Sequence, residues 1–256
     1  MAISIQQKKT INSLKLKKYR TQLSAYVVEG DKNVLELILA GKPIEQIYAV
    51  EKWIAENQAL IDKKKVPYTL VSEKELKSIS SLSTPNQVLA VAGIKESNFK
   101  KETLKKEKIL MLDSIRDPGN FGTIVRTANW FGIRNILASH DCVDIYNQKT
   151  IQATMGSFAK VNVHYCNLQD MLKEASDVNI YAAVLDGKDI SENTFTTNGG
   201  ILILGNEAKG ISENILKLVT HKIKIPNYSN LDKTQLAESL NVSVACGILL
   251  YEFCRK

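Results

Sequence analysis

The sequence predicts an α/β protein built as two units, the second around a mostly parallel sheet. Three observations carry that prediction. Short apolar runs alternate with stretches of helical periodicity along most of the 256 residues, the pattern of strands joined by helices. One charged segment, from Ile94 to Glu107, interrupts the alternation. Three polar segments, two of them glycine-bearing, stand at the entries to helices, and open α/β sheets bind ligands beyond the carboxyl ends of their strands.

The first twenty residues carry Lys8, Lys9, Lys15, Lys17, Lys18 and Arg20 with no acidic residue, and read as a solvated, partly disordered basic tail. Tyr26 to Val28 reads as a strand, Asp31 to Ala40 as a helix presenting Val34, Leu35, Leu37 and Ile38, and Ile47 to Val50 as a strand. Glu51 to Ile61 and Glu73 to Ile79 read as helices, Pro67 to Val71 and Gln87 to Ala92 as strands. Residues 1–93 are therefore expected to form a small α/β domain with its basic tail. Residues 94–107, nearly free of apolar side chains, are expected to be a solvated linker.

Residues 108–256 form the second predicted domain. Strands are expected at Ile109 to Asp113, Arg134 to Ala138, Val161 to Tyr165, Ile180 to Leu185, Ile201 to Gly205 and Lys222 to Ile225. Helices are expected at Phe121 to Phe131, Lys149 to Phe158, Leu168 to Ala175, Ser212 to Leu218 and Asn241 to Phe253. The alternation argues for a parallel sheet with helices on both faces.

The formal net charge of +7 favours a polyanionic partner, nucleic acid ahead of membrane. No apolar core of signal-peptide length follows Met1, and no run approaches the roughly 18 apolar residues of a membrane helix, so the expected location is cytoplasmic. Cys142, Cys166, Cys246 and Cys254 form no C-x-x-C pair, and His140, His164 and His221 are isolated. These spacings predict no metal site. The absence of G-x-G-x-x-G after the first strand of either unit, and of any G-x-x-x-x-G-K-[ST], argues against a dinucleotide fold and a P-loop NTPase.

In the first polar segment, Pro118 sets a turn, Gly119 and Gly122 allow close backbone approach, and Asn120 can cap the following helix. Arg126 lies on that helix among apolar neighbours, so a buried or cleft-facing guanidinium suited to phosphate is expected. Glu207 stands at the end of the strand closed by Leu204-Gly205, where it can face a helix N-terminus or pair with Lys209. Ser239-Leu240-Asn241-Val242-Ser243 opens the last apolar helix, and a buried entry there would be a costly place for hydroxyls and a carboxamide.

Together these segments resemble the motifs of the SpoU/TrmH family, ribose 2′-O-methyltransferases of the SPOUT superfamily. The match runs in order from Ile109 to Glu252: Asp117-Pro118-Gly119-Asn120-Phe121-Gly122 with Arg126, then Leu204-Gly205-Asn206-Glu207-Ala208-Lys209-Gly210, then Ile225-Pro226, then Ser239-Leu240-Asn241-Val242-Ser243-Val244-Ala245. Lys17-Lys18-Tyr19-Arg20, followed by Tyr26-Val27-Val28-Glu29-Gly30, is similar to the opening of the substrate-binding domain that precedes many such catalytic domains. That domain resembles small RNA-binding ribosomal proteins.

The resemblance implies a carboxy-terminal SPOUT domain with a trefoil knot, S-adenosyl-L-methionine as methyl donor, RNA as substrate and a homodimer whose subunits jointly build the active sites. It implies a catalytic set of Arg126, Asn120, Glu207, Ser239 and Asn241, and a cofactor set of Leu204, Gly205, Ile225, Ser239 and Leu240. In one respect the chain departs from the family pattern. Asn227 to Glu238 is longer than the usual loop and lacks its glycine. Ribosomal RNA is the expected substrate because a separate RNA-binding domain precedes the catalytic one. The alternatives are a transfer-RNA 2′-O-methyltransferase and a non-catalytic RNA-binding or ribosome-assembly protein of the same fold.

Overall fold

The computed structural model describes residues 3–84, 86–95, 98–192, 195, 199–229 and 237–255. In chain order come α1 (Ile5–Ser13), α2 (Lys17–Leu23), β1 (Ala25–Glu29), α3 (Asp31–Leu39), β2 (Ile44–Ala49), α4 (Glu51–Lys64), β3 (Tyr68–Leu70), α5 (Glu73–Ile79) and β4 (Val88–Gly93). There follow α6 (Thr103–Lys106), β5 (Lys108–Leu112), α7 (Pro118–Trp130), β6 (Asn135–Ala138), α8 (Gln148–Thr154), β7 (Asn162–Tyr165) and α9 (Leu168–Lys173). The chain continues with β8 (Ile180–Asp189), β9 (Gly200–Leu204), α10 (Glu213–Leu216), β10 (His221–Lys224) and α11 (Val242–Cys254). Two compact units emerge, one of Met1–Glu96 with Asp144–Lys160, the other of Ser97–Val143 with Val161–Lys256.

The first unit holds a four-stranded sheet of order β1-β4-β2-β3, with β4 antiparallel to both neighbours and β2 parallel to β3. The basic tail is not a tail here. Ser4 and Gln7 form a reciprocal capping box at 2.9 and 3.1 Å, the device that satisfies two orphan amides of a helix start. Ile3, Ile11 and Leu14 then join Val27, Tyr48, Leu76 and Leu89 in the core. Arg20 ends the segment buried, donating to the carbonyls of Leu14 (2.9 Å) and Lys15 (3.0 Å) and pairing with Asp144 at 2.7 Å. Three apolar residues spaced along a lysine-rich stretch suffice because they all meet one core.

Residues 144–160, read from sequence as part of the second domain, group with this first unit. The single helix expected from Lys149 to Phe158 breaks at Met155 (φ +51°) and Gly156 (φ +93°) before a 3-10 turn at Ser157–Ala159. A Cβ at Gly156 would stand 2.6 Å from the Glu36 Cγ, so glycine serves both the turn and the close approach.

The second unit is a fully parallel six-stranded sheet of order β10-β8-β9-β5-β6-β7. Strands β5 and β9 lie in its middle and read as continuous apolar runs because both their faces are buried. Ile109, Met111, Ile201 and Ile203 pack with Leu168, Leu172 and Ile215, while the alternate residues Leu110, Leu112, Leu202 and Leu204 are buried on the opposite face. Helix α11 packs along α7 and against β9. The segment expected to be a solvated linker carries α6, whose Leu104 is 0% exposed within the same core. Lys101 and Lys105 pair with Glu174 and Asp177, both at 2.9 Å. One leucine at the right register anchors an otherwise charged stretch.

Candidate active site

Strand β5 has β9 on one side and β6 on the other. The chain leaves β5 toward β6 and β7, then fills the opposite side with β8, β9 and β10, so the crevice beyond the carboxyl ends of β5 and β9 is a topological switch point. All the polar segments singled out in the sequence start from this end of the sheet or from the loop into α11.

On the β5 side, the chain runs into Asp113, 5% exposed, whose carboxylate accepts the Ser212 amide at 2.7 Å. Asp117 caps α7 by accepting the Asn120 amide at 2.8 Å, with Pro118 in the first turn. Asn120 is therefore not the cap. It sits one turn inside a helix that begins three residues earlier than the sequence suggests, and its carboxamide is left for other partners.

On the β9 side, Asn206 and Gly210 exchange main-chain hydrogen bonds at 3.0 and 2.8 Å, and Gly210 takes φ +68°. The loop folds back so tightly that a side chain at Gly205 would collide with the main chain of Gly210 and Ile211. Asn206 holds both loops: its Nδ2 donates to the Ser114 carbonyl at 2.9 Å, and its Oδ1 accepts the amides of Ala208 (3.0 Å) and Lys209 (3.1 Å). Sequence reading did not single out Asp113, Asp117 or Asn206 as site-builders. An aspartate closing an apolar strand and an Asn two residues before Ala208, the pattern of an Asx turn, were the available signals.

Three expected site residues meet across this crevice. Asn120 Nδ2 donates to Glu207 Oε1 at 2.8 Å, and Asn241 Nδ2 donates to Asn120 Oδ1 at 3.0 Å. Asn241 Oδ1 in turn accepts the Ser243 amide at 2.9 Å and the Ser243 hydroxyl at 2.7 Å. The direction of this chain is chemically determined, because an amide N–H can only donate at one end and a carboxylate only accept at the other. Both carboxamides are thereby oriented. Glu207 makes no ion pair with Lys209 among the described residues.

Arg126 and Ser239 are not joined to this chain. Arg126 is exposed, and its side chain makes no hydrogen bond or ion pair among the described residues, so of the buried or cleft-facing guanidinium expected from its apolar neighbours the buried form is not found. Phe121, Ile124, Val125 and Ala128 take the buried side of α7, and Arg126 occupies the remaining one. Ser239 and Asn241 are likewise exposed, so the expected cost of burying them does not arise. Asn241 is the N-cap of α11, and the apolar stretch behind it reflects Val242, Cys246, Leu249, Leu250 and Phe253 facing inward.

Of the expected cofactor residues, Leu204 is buried, Gly205 and Ile225 are partly buried and Leu240 is 50% exposed. Beyond the sheet ladders, the main-chain groups of Ile225 and Leu240 make no hydrogen bond among the described residues. Amides and carbonyls beside apolar side chains suit a purine and its ribose. Of the long loop from Asn227 to Glu238, residues 230–236 lie outside the described residues, and Tyr228 is 82% exposed. Among the described residues no group of three or more His, Cys, Asp or Glu side chains could hold a metal ion, and no helix is long and apolar enough to cross a membrane.

Residues 107–251 match the SpoU rRNA Methylase family, and residues 6–90 match the MRM3-like substrate binding domain. The chain is 27% identical over 248 residues to the 23S rRNA (guanosine(2553)-2′-O)-methyltransferase RlmP of Bacillus subtilis (strain 168), covering 96% of this chain and 95% of that one. A TrmH-family structure from Porphyromonas gingivalis superposes with a TM-score of 0.88 at 31% identity, over 99% of this chain and 98% of its own. An AdoMet-bound rRNA methyltransferase from Sinorhizobium meliloti superposes at 0.85 and 26% identity, over 99% and 97%. With its motifs gathered at the switch point of a parallel sheet and the family match spanning more than half its length, this chain belongs to the SpoU rRNA methylase family.

Proposed function

We propose that this protein transfers a methyl group from S-adenosyl-L-methionine to a ribose 2′-hydroxyl of ribosomal RNA. The observation that carries the reading is the oriented hydrogen-bond chain from Ser243 through Asn241 and Asn120 to Glu207, assembled from the starts of α11 and α7 and the loop after β9. Similarity to RlmP along nearly the whole chain supports the 2′-oxygen and ribosomal RNA. The AdoMet-bound relative supports the donor.

Leu204, Gly205, Ile225, Ser239 and Leu240 would hold the donor, with main-chain groups of Ile225 and Leu240 that make no other hydrogen bond among the described residues meeting its base. When bound, the donor would supply a sulfonium methyl group, its transfer forming the oxygen–carbon bond, breaking the carbon–sulfur bond to leave a thioether, and releasing the 2′-hydroxyl proton to solvent water. Asn120, Glu207 and Asn241 hold the ribose in line, and alignment of this kind is equivalent to effective molarities of about 10⁵ to 10⁸ M. Arg126, exposed and unpaired among the described residues, clamps the adjoining phosphate and polarises the 2′-oxygen. A guanidinium does not itself take up the proton.

We also assign the unit of Met1–Glu96 with Asp144–Lys160 to RNA binding, following its residues 6–90, and the unit of Ser97–Val143 with Val161–Lys256 to catalysis. Leu240, Val244, Ile248 and Tyr251 form an exposed apolar stripe leading into and along α11, and Trp130 ends α7 exposed. That stripe supports a homodimer through α11 and α7. The knot is inferred from the SPOUT fold. The four free cysteines suit a reducing, cytoplasmic setting.

The test is transfer of labelled methyl to purified large-subunit ribosomal RNA, small-subunit ribosomal RNA and transfer RNA. Label that resists alkaline cleavage at one ribose of a ribosomal RNA, and is lost in Arg126→Ala, is the expected result. Label on transfer RNA alone would replace the substrate class, and no label on any RNA would overturn the activity.

A further inference from the structure

Beside the proposed catalytic loops lies a second polar cluster that the reaction does not use. Asp141, just past β6, accepts the hydroxyls of Ser114 and Ser139, each at 2.6 Å, and Arg116 Nη2 at 3.3 Å. The Ser114 amide donates to the Ser139 hydroxyl at 2.9 Å. To reach this arrangement Ser114 takes φ +60°, a left-handed conformation that a serine adopts at an energetic cost.

An exposed ion pair returns little stability, and Arg116 and Asp141 are both largely solvent-facing. The strain at Ser114 is thus not explained by the strength of the pair. What the cluster does achieve is a fixed anchor. Hydrogen bonds from the Ser114 hydroxyl first, then from Ser139, and more weakly from Arg116, pull the Asp141 carboxyl down to about 2, so it stays a charged acceptor. Arg116 touches that anchor through Nη2 alone among the described residues, and its side chain is 64% exposed, which leaves its other N–H donors open to a partner. It immediately precedes Asp117, the cap of α7, and so lies four residues before Asn120 of the polar chain.

We propose that Arg116, steadied by Asp141, grips a backbone phosphate of the RNA strand flanking the methylated ribose. The assignment rests on the RNA methyltransferase reading. Arg116 is then a substrate-binding residue and Asp141 a positioning residue, with Ser114 and Ser139 holding Asp141. A planar fork exposed to solvent and tethered by one nitrogen matches a phosphodiester better than a free lysine would. Together Arg116 and Arg126 would bracket the target nucleotide with two phosphate contacts.

The experiment compares the full-length wild type with Arg116→Ala, Arg116→Lys and Asp141→Asn, using protein-free large-subunit ribosomal RNA. Its readouts are KM for RNA, the dependence of RNA affinity on salt, affinity for S-adenosyl-L-methionine by calorimetry, and melting temperature. Arg116→Ala is expected to raise KM for RNA roughly tenfold and to flatten the log–log salt slope by about 0.7 to 0.9. Arg116→Lys should restore the slope but regain a fraction of the affinity, and Asp141→Asn should raise KM less than Arg116→Ala does. Donor affinity and melting temperature should stay at wild-type values throughout. An unchanged salt slope in Arg116→Ala, or an equal fall in melting temperature and RNA affinity, would overturn the assignment and make the cluster a staple between two loops. If the wild type binds RNA but transfers no methyl, the functional reading fails, while the salt slope still decides the role of Arg116.

Discussion

Two carboxylates close the site from neighbouring strands, and they do opposite work. Asp113 follows β5 and is 5% exposed, accepting the Ser212 amide at 2.7 Å. Glu207 follows β9 by three residues, is exposed, and accepts Asn120. The first belongs to a frame that also includes Asn206 and the crossing of Gly205 with Gly210. The second ends a polar chain that solvent, and so a substrate, can reach. Frame residues should therefore report through stability, and chain residues through turnover.

Substitutions can break or sharpen that division. Gly205→Ala has the largest expected effect, because its new methyl would meet main chain and not a yielding side chain. A loss of about 3 kcal/mol or more in a denaturant titration, or failure to fold, is expected from overpacking of this kind. Asn120→Ala comes next. Methyl transfer should fall about a hundredfold through lost alignment, while stability shifts by no more than about 1 kcal/mol, because Asn120 is half-buried and both its side-chain partners are exposed. Asp113→Ala should reverse that balance. It removes the acceptor for a partly buried amide, costing about 1–2 kcal/mol of stability, and turnover should follow only as far as the loop loosens. If Asp113→Ala silenced turnover at full stability, the two carboxylates would not differ as described.

Much of this was legible in the sequence. The central strands announce themselves as apolar runs because parallel strands buried on both faces have no polar alternation, and the loops stand out because glycine, asparagine and aspartate interrupt such runs. The partnership of the loops was less legible. Asn120 meets residues 87 and 121 positions away, and no local pattern encodes which amide turns toward which. Exposure was not legible at α11, since Val244, Ile248 and Tyr251 on an open face look in sequence like residues of a core. In the amino-terminal segment the mismatch ran the other way. Lysines dominate the composition, yet Ile11 and Leu14 decide the structure by meeting a surface that the segment itself does not contain.

The most direct test of the central claim is a double-mutant cycle on kcat/KM for methyl transfer, with Asn120→Ala, Asn241→Ala and the double variant. If the two carboxamides act as one oriented chain, the double variant should lose little more than either single one, a coupling of more than about 1 kcal/mol. Losses that simply multiply would show the residues acting independently and would contradict the account.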